Sequence, residues 1–162
     1  MNESLFAALK RVFCLGPLLL GLLVLLEGAA LLVRRVQPLP LELGPAVQVP
    51  LTLLLGVVWL TVNVAFIRTH LRHGVGKTLI TTGPFAWVRH PLYAADMFAL
   101  PGLVAVWGND LWFGAVWLLM LAVLPLFTRG EERFMERHFG DAYRRYRERV
   151  PAFVPWRGRV RL

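Results

Sequence analysis

The sequence predicts an all-α integral membrane protein. It has about four transmembrane helical segments, the last two joined as a helical hairpin, followed by a cytosolic amphipathic helical tail. Three observations predict this. Of the 162 residues, 57% are hydrophobic and 17% charged, more apolar surface than a soluble domain of this size can bury. The apolar residues gather into four runs separated by Pro-, Gly- or charge-rich stretches. Ten of the eighteen Lys and Arg residues follow Thr128, so much of the positive charge sits in a tail suited to an anionic membrane face. The tail carries no nucleic-acid motif, and with so apolar a body the chain is expected to meet a lipid bilayer and no nucleic acid.

Residues 12–33 form the first run, interrupted only by Glu27 and flanked by Lys10-Arg11 and Arg34-Arg35. It is long enough to cross a bilayer, which takes about 20 residues. It is too long for the apolar core of a signal peptide, and no small-residue cleavage site follows it, so it reads as a permanent span. The lone cysteine, Cys14, falls in this run and reads as a small apolar residue. Residues 37–50 hold four prolines and read as a connector. The second span is residues 51–67, with a possible start near Val47, and residues 68–90 read as a polar loop. Residues 92–107 and 111–127 are the third and fourth segments. The turn Gly108-Asn109-Asp110 is so short that the two must form an antiparallel hairpin. Gly130 reads as the end of the fourth helix, and the tail beyond it as one amphipathic helix or two around Gly140.

The polar groups of chemical interest gather at one end of these segments, where they are costly and usually mark a site. His90 precedes Pro91, which suits the first position of a helix. A helix starting at Pro91 leaves the N–H groups of Leu92 and Tyr93 free, an anion site reinforced by the helix dipole, which also favours neutral imidazole on His90. Taken alone, the Arg-His-Pro turn is explained as an interfacial helix cap. Glu131 and Glu132 follow Thr128-Arg129-Gly130. One role for them is to cap a new helix; the other is to accept hydrogen bonds from ribose hydroxyls or to face a cationic centre, with Arg129 clamping an anion. Asp96, about two turns below Pro91, is placed to face a cavity under this site, and Glu27 to satisfy a neighbouring helix; both roles stay open. Gly74-Val75-Gly76-Lys77-Thr78 lacks the first glycine and the buried strand of a phosphate-binding loop, and no Gly-x-Gly-x-x-Gly element follows a strand. The four histidines have no metal-ligand spacing, so no metal is expected.

The run from Thr78 to Tyr93, TLITTGPFAWVRHPLY, resembles the core of the isoprenylcysteine carboxyl methyltransferases and the related phospholipid methyltransferases. So do Glu131-Glu132, then FGDAYRRY from Phe139, then Val150-Pro151 and Val154-Pro155, in that order. The resemblance covers residues 70–160. It implies one membrane methyltransferase domain over residues 1–162, with two N-terminal spans in 12–67 and the cofactor-binding loop, hairpin and tail in 68–162. It implies S-adenosylmethionine as cofactor, held on the cytosolic side by Lys77, Thr78, Leu79, Ile80, Phe85, His90, Pro91, Leu92, Tyr93 and Glu131, with Glu132 as the one-residue alternative. It makes Arg129 the catalytic, substrate-side arginine. Relatives often carry tyrosine where this chain has Phe85 and histidine where it has Lys77. Methyl transfer from a sulfonium is an in-line displacement that asks for alignment and a dry site, so no nucleophilic triad is needed. The acceptor is lipid-like or hydrophobic: a prenylcysteine carboxylate, a phospholipid amine or a small thiol. A nicotinamide-dependent reductase relative and a non-catalytic membrane subunit are the readings from other classes.

The loop of residues 68–90 carries four Lys or Arg and the tail ten, whereas the Gly108 turn carries none. The positive-inside rule then places both termini and the site in the cytosol, with Arg34-Arg35 against the rule. Single cysteines introduced at the Gly108 turn and at the C-terminus are expected to label from opposite sides of the membrane; labelling from one side would rule out four spans.

Overall fold

The computed structural model describes residues 15–73 and 78–160, so Lys10-Arg11, Cys14 and Lys77 lie outside the described residues. Five α-helices follow in order: α1 (Leu15–Val36), α2 (Pro45–His73), α3 (Pro91–Gly108), α4 (Leu111–Phe139) and α5 (Asp141–Arg149). A short 3-10 turn, Gly83–Ala86, lies between α2 and α3. No strand occurs among the described residues. The first four helices are long and apolar enough to cross a membrane. The α3–α4 hairpin is central, with α2 packed on α3 and α1 on α4.

The core lies mainly between α1, α3 and α4. Leu19, Leu23 and Ala30 of α1, Met97 and Ala105 of α3, and Phe113, Val116, Met120 and Leu124 of α4 form one buried apolar cluster. α2 buries none of its most apolar stretch within the protein, so its side chains need lipid around them. Asp96 of α3 accepts a hydrogen bond from Trp59 Nε1 at 2.8 Å, with Asn63 Nδ2 at 3.5 Å. It therefore ties α3 to α2 and does not line the cavity described below. The carboxylate oxygens of Glu27 meet no partner among the described residues.

Two helices run longer than the sequence pattern indicates. α2 begins at Pro45, because a proline in the first turn withholds an N–H that has no intrahelical partner anyway. Pro50, one turn further in, removes one backbone bond without ending the helix. At its other end α2 continues through residues 68–73, where Thr69 Oγ1 donates to Ala65 O (2.7 Å) and the Nδ1 atoms of His70 and His73 meet carbonyls four residues back. α4 passes through Gly130 unbroken. A glycine inside a helix costs only about 1 kcal/mol, and its neighbours Arg129, Glu131, Glu132 and Arg133 favour helix. The break comes at Gly140, whose φ of +54° suits a residue without a side chain.

The turn between α3 and α4 is stitched to the connector between α1 and α2. Asp110 caps α4 by accepting from Trp112 N (3.1 Å), and its other oxygen accepts from Leu39 N (3.0 Å). Pro40 and Asp110 form an isolated antiparallel bridge. Asn109, at φ +52°, accepts from Leu43 N and donates back to Leu43 O. Arg34 lies 3.6 Å from the Asp110 carboxylate and over the Phe113 ring. That partnership accounts for a basic residue at this end of the bundle.

Asp110 is almost fully buried. Asp110→Ala is expected to remove the cap and the stitch together, lowering stability in detergent by about 1–3 kcal/mol. Asp110→Asn should cost less. Equilibrium unfolding of both variants measures this; wild-type stability in Asp110→Ala would show that the stitch contributes nothing.

Candidate active site

At the opposite end of the bundle a cavity of about 340 Å³ opens between α2, the 3-10 turn, α3, α4 and α5, with Gly16 of α1 on its wall. Each element reaches it by a simple local rule. Pro91 starts α3 with His90 as its N-cap. The first-turn amides of such a helix have no intrahelical partner, and Pro91, Leu92 and Tyr93 line the cavity. On α4 the lining residues are Glu131, Phe134, Met135, His138 and Phe139, a spacing that puts one stripe of a continuous helix on the wall. α2 contributes Phe66 and His70, four residues apart, and α5 contributes Tyr143 and Tyr146, three apart. Gly83 lets the 3-10 turn pass against Thr69 at φ +63°, where a side chain would strike the Thr69 hydroxyl.

A polar network closes one side. Tyr93 OH donates to Glu131 Oε1 at 2.5 Å, and His90 Nδ1 lies 3.6 Å from the other Glu131 oxygen. Glu132 points elsewhere. Its Oε1 accepts from Arg89 Nε (2.9 Å) and the second guanidinium nitrogen (2.6 Å), with His90 Nε2 at 3.1 Å. The remaining Arg89 nitrogen donates to the carbonyls of Arg147 (3.1 Å) and Val150 (2.5 Å). The backbone N–H groups of Arg89 and His90 donate to Pro151 O and Ala152 O, and Phe153 stacks on His90. The segment after α5 is thus a strap across the start of α3. On the far wall Tyr146 OH donates to Phe85 O at 2.8 Å. Burial pushes the phenols of Tyr143 and Tyr146 above their ordinary range, so both stay protonated as donors.

Of the residues expected at the site, Thr78, Leu79, Ile80, Phe85, His90, Pro91, Leu92, Tyr93 and Glu131 all line this one cavity. Glu132 and Arg129 do not. In an unbroken helix successive residues turn by about 100°, so of the two adjacent glutamates only Glu131 faces the cavity. Arg129, two residues earlier, projects roughly 200° away and is exposed. Phe134, Met135, His138 and Phe139 of α4 and His70 of α2 lie beyond the helix ends that the sequence suggests, Gly130 and residue 67, and reach the wall because both helices continue. Had α4 been carried through Gly130, the positions 131, 134, 135, 138 and 139 would have stood out as one face. No group of three or more His, Cys, Asp or Glu side chains is placed to hold a metal ion among the described residues.

Four helices long and apolar enough to cross a membrane, with a cavity lined by aromatic rings and a carboxylate at one end of the bundle, define the class as a helical membrane protein. The chain matches the phospholipid methyltransferase family over residues 55–142, and it belongs to that family. It is 34% identical over 121 residues to the cobalt-zinc-cadmium resistance protein CzcN of Cupriavidus metallidurans, covering 74% of this chain and 51% of that protein. It is 30% identical over 155 residues to methanethiol S-methyltransferase 2 of Bradyrhizobium diazoefficiens, covering 85% of this chain and 57% of that one. To the protein-S-isoprenylcysteine O-methyltransferase of Schizosaccharomyces pombe it is 34% identical over 80 residues, 48% of this chain and 33% of the relative. The chain spans about half the length of the first two of these relatives. No solved structure matches it.

The Arg89–Glu132 pair joins three pieces of chain, and its partners are mostly sheltered. Glu132→Ala is expected to cost about 1.5–3 kcal/mol, the range for hydrogen bonds to charged groups. It should also loosen the strap, so that limited proteolysis after Arg147 becomes faster than in the wild-type protein. An unchanged cleavage rate would mean that the backbone bonds to Pro151 and Ala152 hold the strap alone.

Proposed function

We propose that the chain is a membrane methyltransferase that draws its methyl group from S-adenosylmethionine and passes it to a hydrophobic acceptor. The observation that carries this reading is the Glu131 carboxylate in a cavity walled by aromatic rings, beside the amino end of α3. The donor chemistry fits that wall. A sulfonium is a soft cation, attracted by aromatic faces and by a nearby carboxylate. A methionyl carboxylate suits the first-turn amides of α3, and ribose hydroxyls suit the lone pairs that Glu131 keeps beyond the Tyr93 bond. When bound, the donor supplies an activated methyl group. The protein's own part is to align it and keep water out, which the apolar lining does.

In this reading Tyr93 and His90 hold Glu131 in place, and Glu132 with Arg89 holds His90 and the strap. Thr78, Leu79, Ile80 and Phe85 cover the donor from the loop side, with Lys77 beside them in sequence. The site faces the cytosol, as the charge of the loop and tail indicates. The family relationship and the relatives named as O- and S-methyltransferases support methyl transfer, and the four apolar helices support an acceptor that arrives from the bilayer.

Glu131→Ala and His90→Ala are each expected to weaken S-adenosylmethionine binding roughly ten- to a hundredfold, the loss of a hydrogen bond to a charged group. Arg129→Ala should leave donor affinity within about twofold, because Arg129 stands outside the cavity; the part assigned to it is on the acceptor side. Calorimetry on the purified protein measures all three. Wild-type affinity in Glu131→Ala would remove the carboxylate from the donor site. Full methyl transfer to an anionic acceptor by Arg129→Ala would remove Arg129 from the acceptor side.

A further inference from the structure

The cavity holds a histidine that the donor-binding reading leaves without a task. His70 lies on the last turn of α2, half-buried, and lines the same space as Glu131 and Tyr93. Its Nδ1 lies 3.2 Å from the carbonyl oxygen of Phe66. A carbonyl only accepts, so the proton of a neutral ring sits on Nδ1, and Nε2 carries a lone pair. No side chain or backbone group among the described residues bonds that Nε2. The ring packs at a tilt against Phe66 and Phe85, at centroid distances of 4.1 and 5.5 Å. The other histidines of this region are differently placed. His90 has a carboxylate facing each ring nitrogen. His138 is exposed and lies against Phe134 and Phe139. His73 has Thr82 Oγ1 at 3.5 Å from its Nε2.

We infer, building on the methyl-transfer reading above, that His70 is the general base of the reaction and that the acceptor is a small molecule that must lose a proton, a thiol. Two further observations favour this over an acceptor that arrives already ionised. At about 340 Å³ the cavity is at the lower end of the roughly 300–1,000 Å³ usual for small-molecule sites, so little room remains beside a nucleoside-sized donor. The guanidinium that lines the cavity among the described residues, Arg89, is engaged by Glu132 and two carbonyls and is not offered to an anionic acceptor.

The acceptor S–H bond breaks and its proton passes to His70 Nε2. The sulfur lone pair forms the new S–CH3 bond. The bond between methyl and the sulfonium breaks, its electron pair remaining on the donor sulfur, which becomes a neutral thioether. The imidazolium then returns its proton to water. A thiol with a pKa of about 8.5 is only slightly ionised at pH 7, so a base in reach raises the reactive fraction where a carboxylate would gain nothing.

The test uses the full chain in detergent with ethanethiol and a prenylated cysteine as alternative acceptors. His70→Gln is expected to keep S-adenosylmethionine affinity within about twofold by calorimetry, yet to lose ethanethiol methylation about a hundredfold or more. The wild-type pH profile should lose its acidic limb in that variant and follow the ionisation of the free thiol. The other titratable or charged groups that line the cavity are Arg89, His90, Tyr93 and Glu131 on one side and His138, Tyr143 and Tyr146 on the other. Should His70→Gln disturb the fold, His70→Ala with added imidazole decides, since restored turnover is expected of a missing base and not of a missing wall. In donor-free protein, ethanethiol should shift the His70 imidazole proton resonances. Wild-type turnover and pH profile in His70→Gln, or wild-type methylation of the prenylcysteine carboxylate alone, would overturn the assignment while leaving methyl transfer intact. Failure of the wild-type chain to bind S-adenosylmethionine would overturn both.

Discussion

The Arg89–Glu132 ion pair is the point on which the site end of the protein is assembled. One carboxylate oxygen of α4 gathers the guanidinium of the loop before α3 and the imidazole that caps α3. The same guanidinium reaches the carbonyls of Arg147 in the last turn of α5 and of Val150 just after it. Three stretches of chain distant in sequence, around Arg89-His90, Glu132 and Arg147–Val150, are thereby fixed relative to one another. A charge cluster like this is tolerable because each member is hydrogen-bonded several times; an unpaired ion in such a place would be costly. Of the two neighbouring glutamates, Glu132 ties the chain segments together and Glu131 faces the cavity.

The other end of the bundle repeats the principle with a different residue. Asp110 caps α4, receives Leu39 N and lies beside Arg34. Between the two polar ends α1, α3 and α4 share an apolar core, and α2 is tied to α3 by polar bonds: Trp59 and Asn63 to Asp96, Trp107 to Thr52 and Gln48 to the Val106 carbonyl. A lipid environment gives little hydrophobic drive for helix to meet helix, so bonds at the ends and close packing in the middle carry the arrangement.

How much of this could be read from the sequence differs by element. The four spans, the hairpin turn and the start of α3 at Pro91 were legible, because apolar run length and a proline after histidine are local signals. The family resemblance, not a local signal, is what groups Thr78, Leu79, Ile80, Phe85, His90 to Tyr93 and Glu131, and these residues line one cavity. The connector prolines misled, since Pro45 and Pro50 are accommodated in the opening turns of α2. Gly130 misled more. A glycine between charged residues looks like a stop, but its cost of about 1 kcal/mol is small beside a helix already anchored over several turns. With the helix ended there, the cavity face of α4 is hidden and the choice between Glu131 and Glu132 stays open; the continuous helix puts Glu131 on the cavity side. The pairing of Arg34 with Asp110, 76 positions apart, and the tie of Arg89 to the strap have no local signal at all; only the fold brings them together.

The unbroken passage of α4 from Asp110 to Gly140 has a consequence for how this chain can change over time. Its 29 residues make a rod of roughly 44 Å, capped at one end by Asp110 and carrying the cavity stripe at the other. Inserting or deleting one residue anywhere between them would rotate the whole stripe by about 100° and shift it by about 1.5 Å. Glu131, Phe134, Met135 and His138 would swing away together. Substitutions along the lipid-facing side of α4 are cheap, but a change in length is not, so the helix acts as a gauge that keeps the active face in phase with the membrane-embedded core.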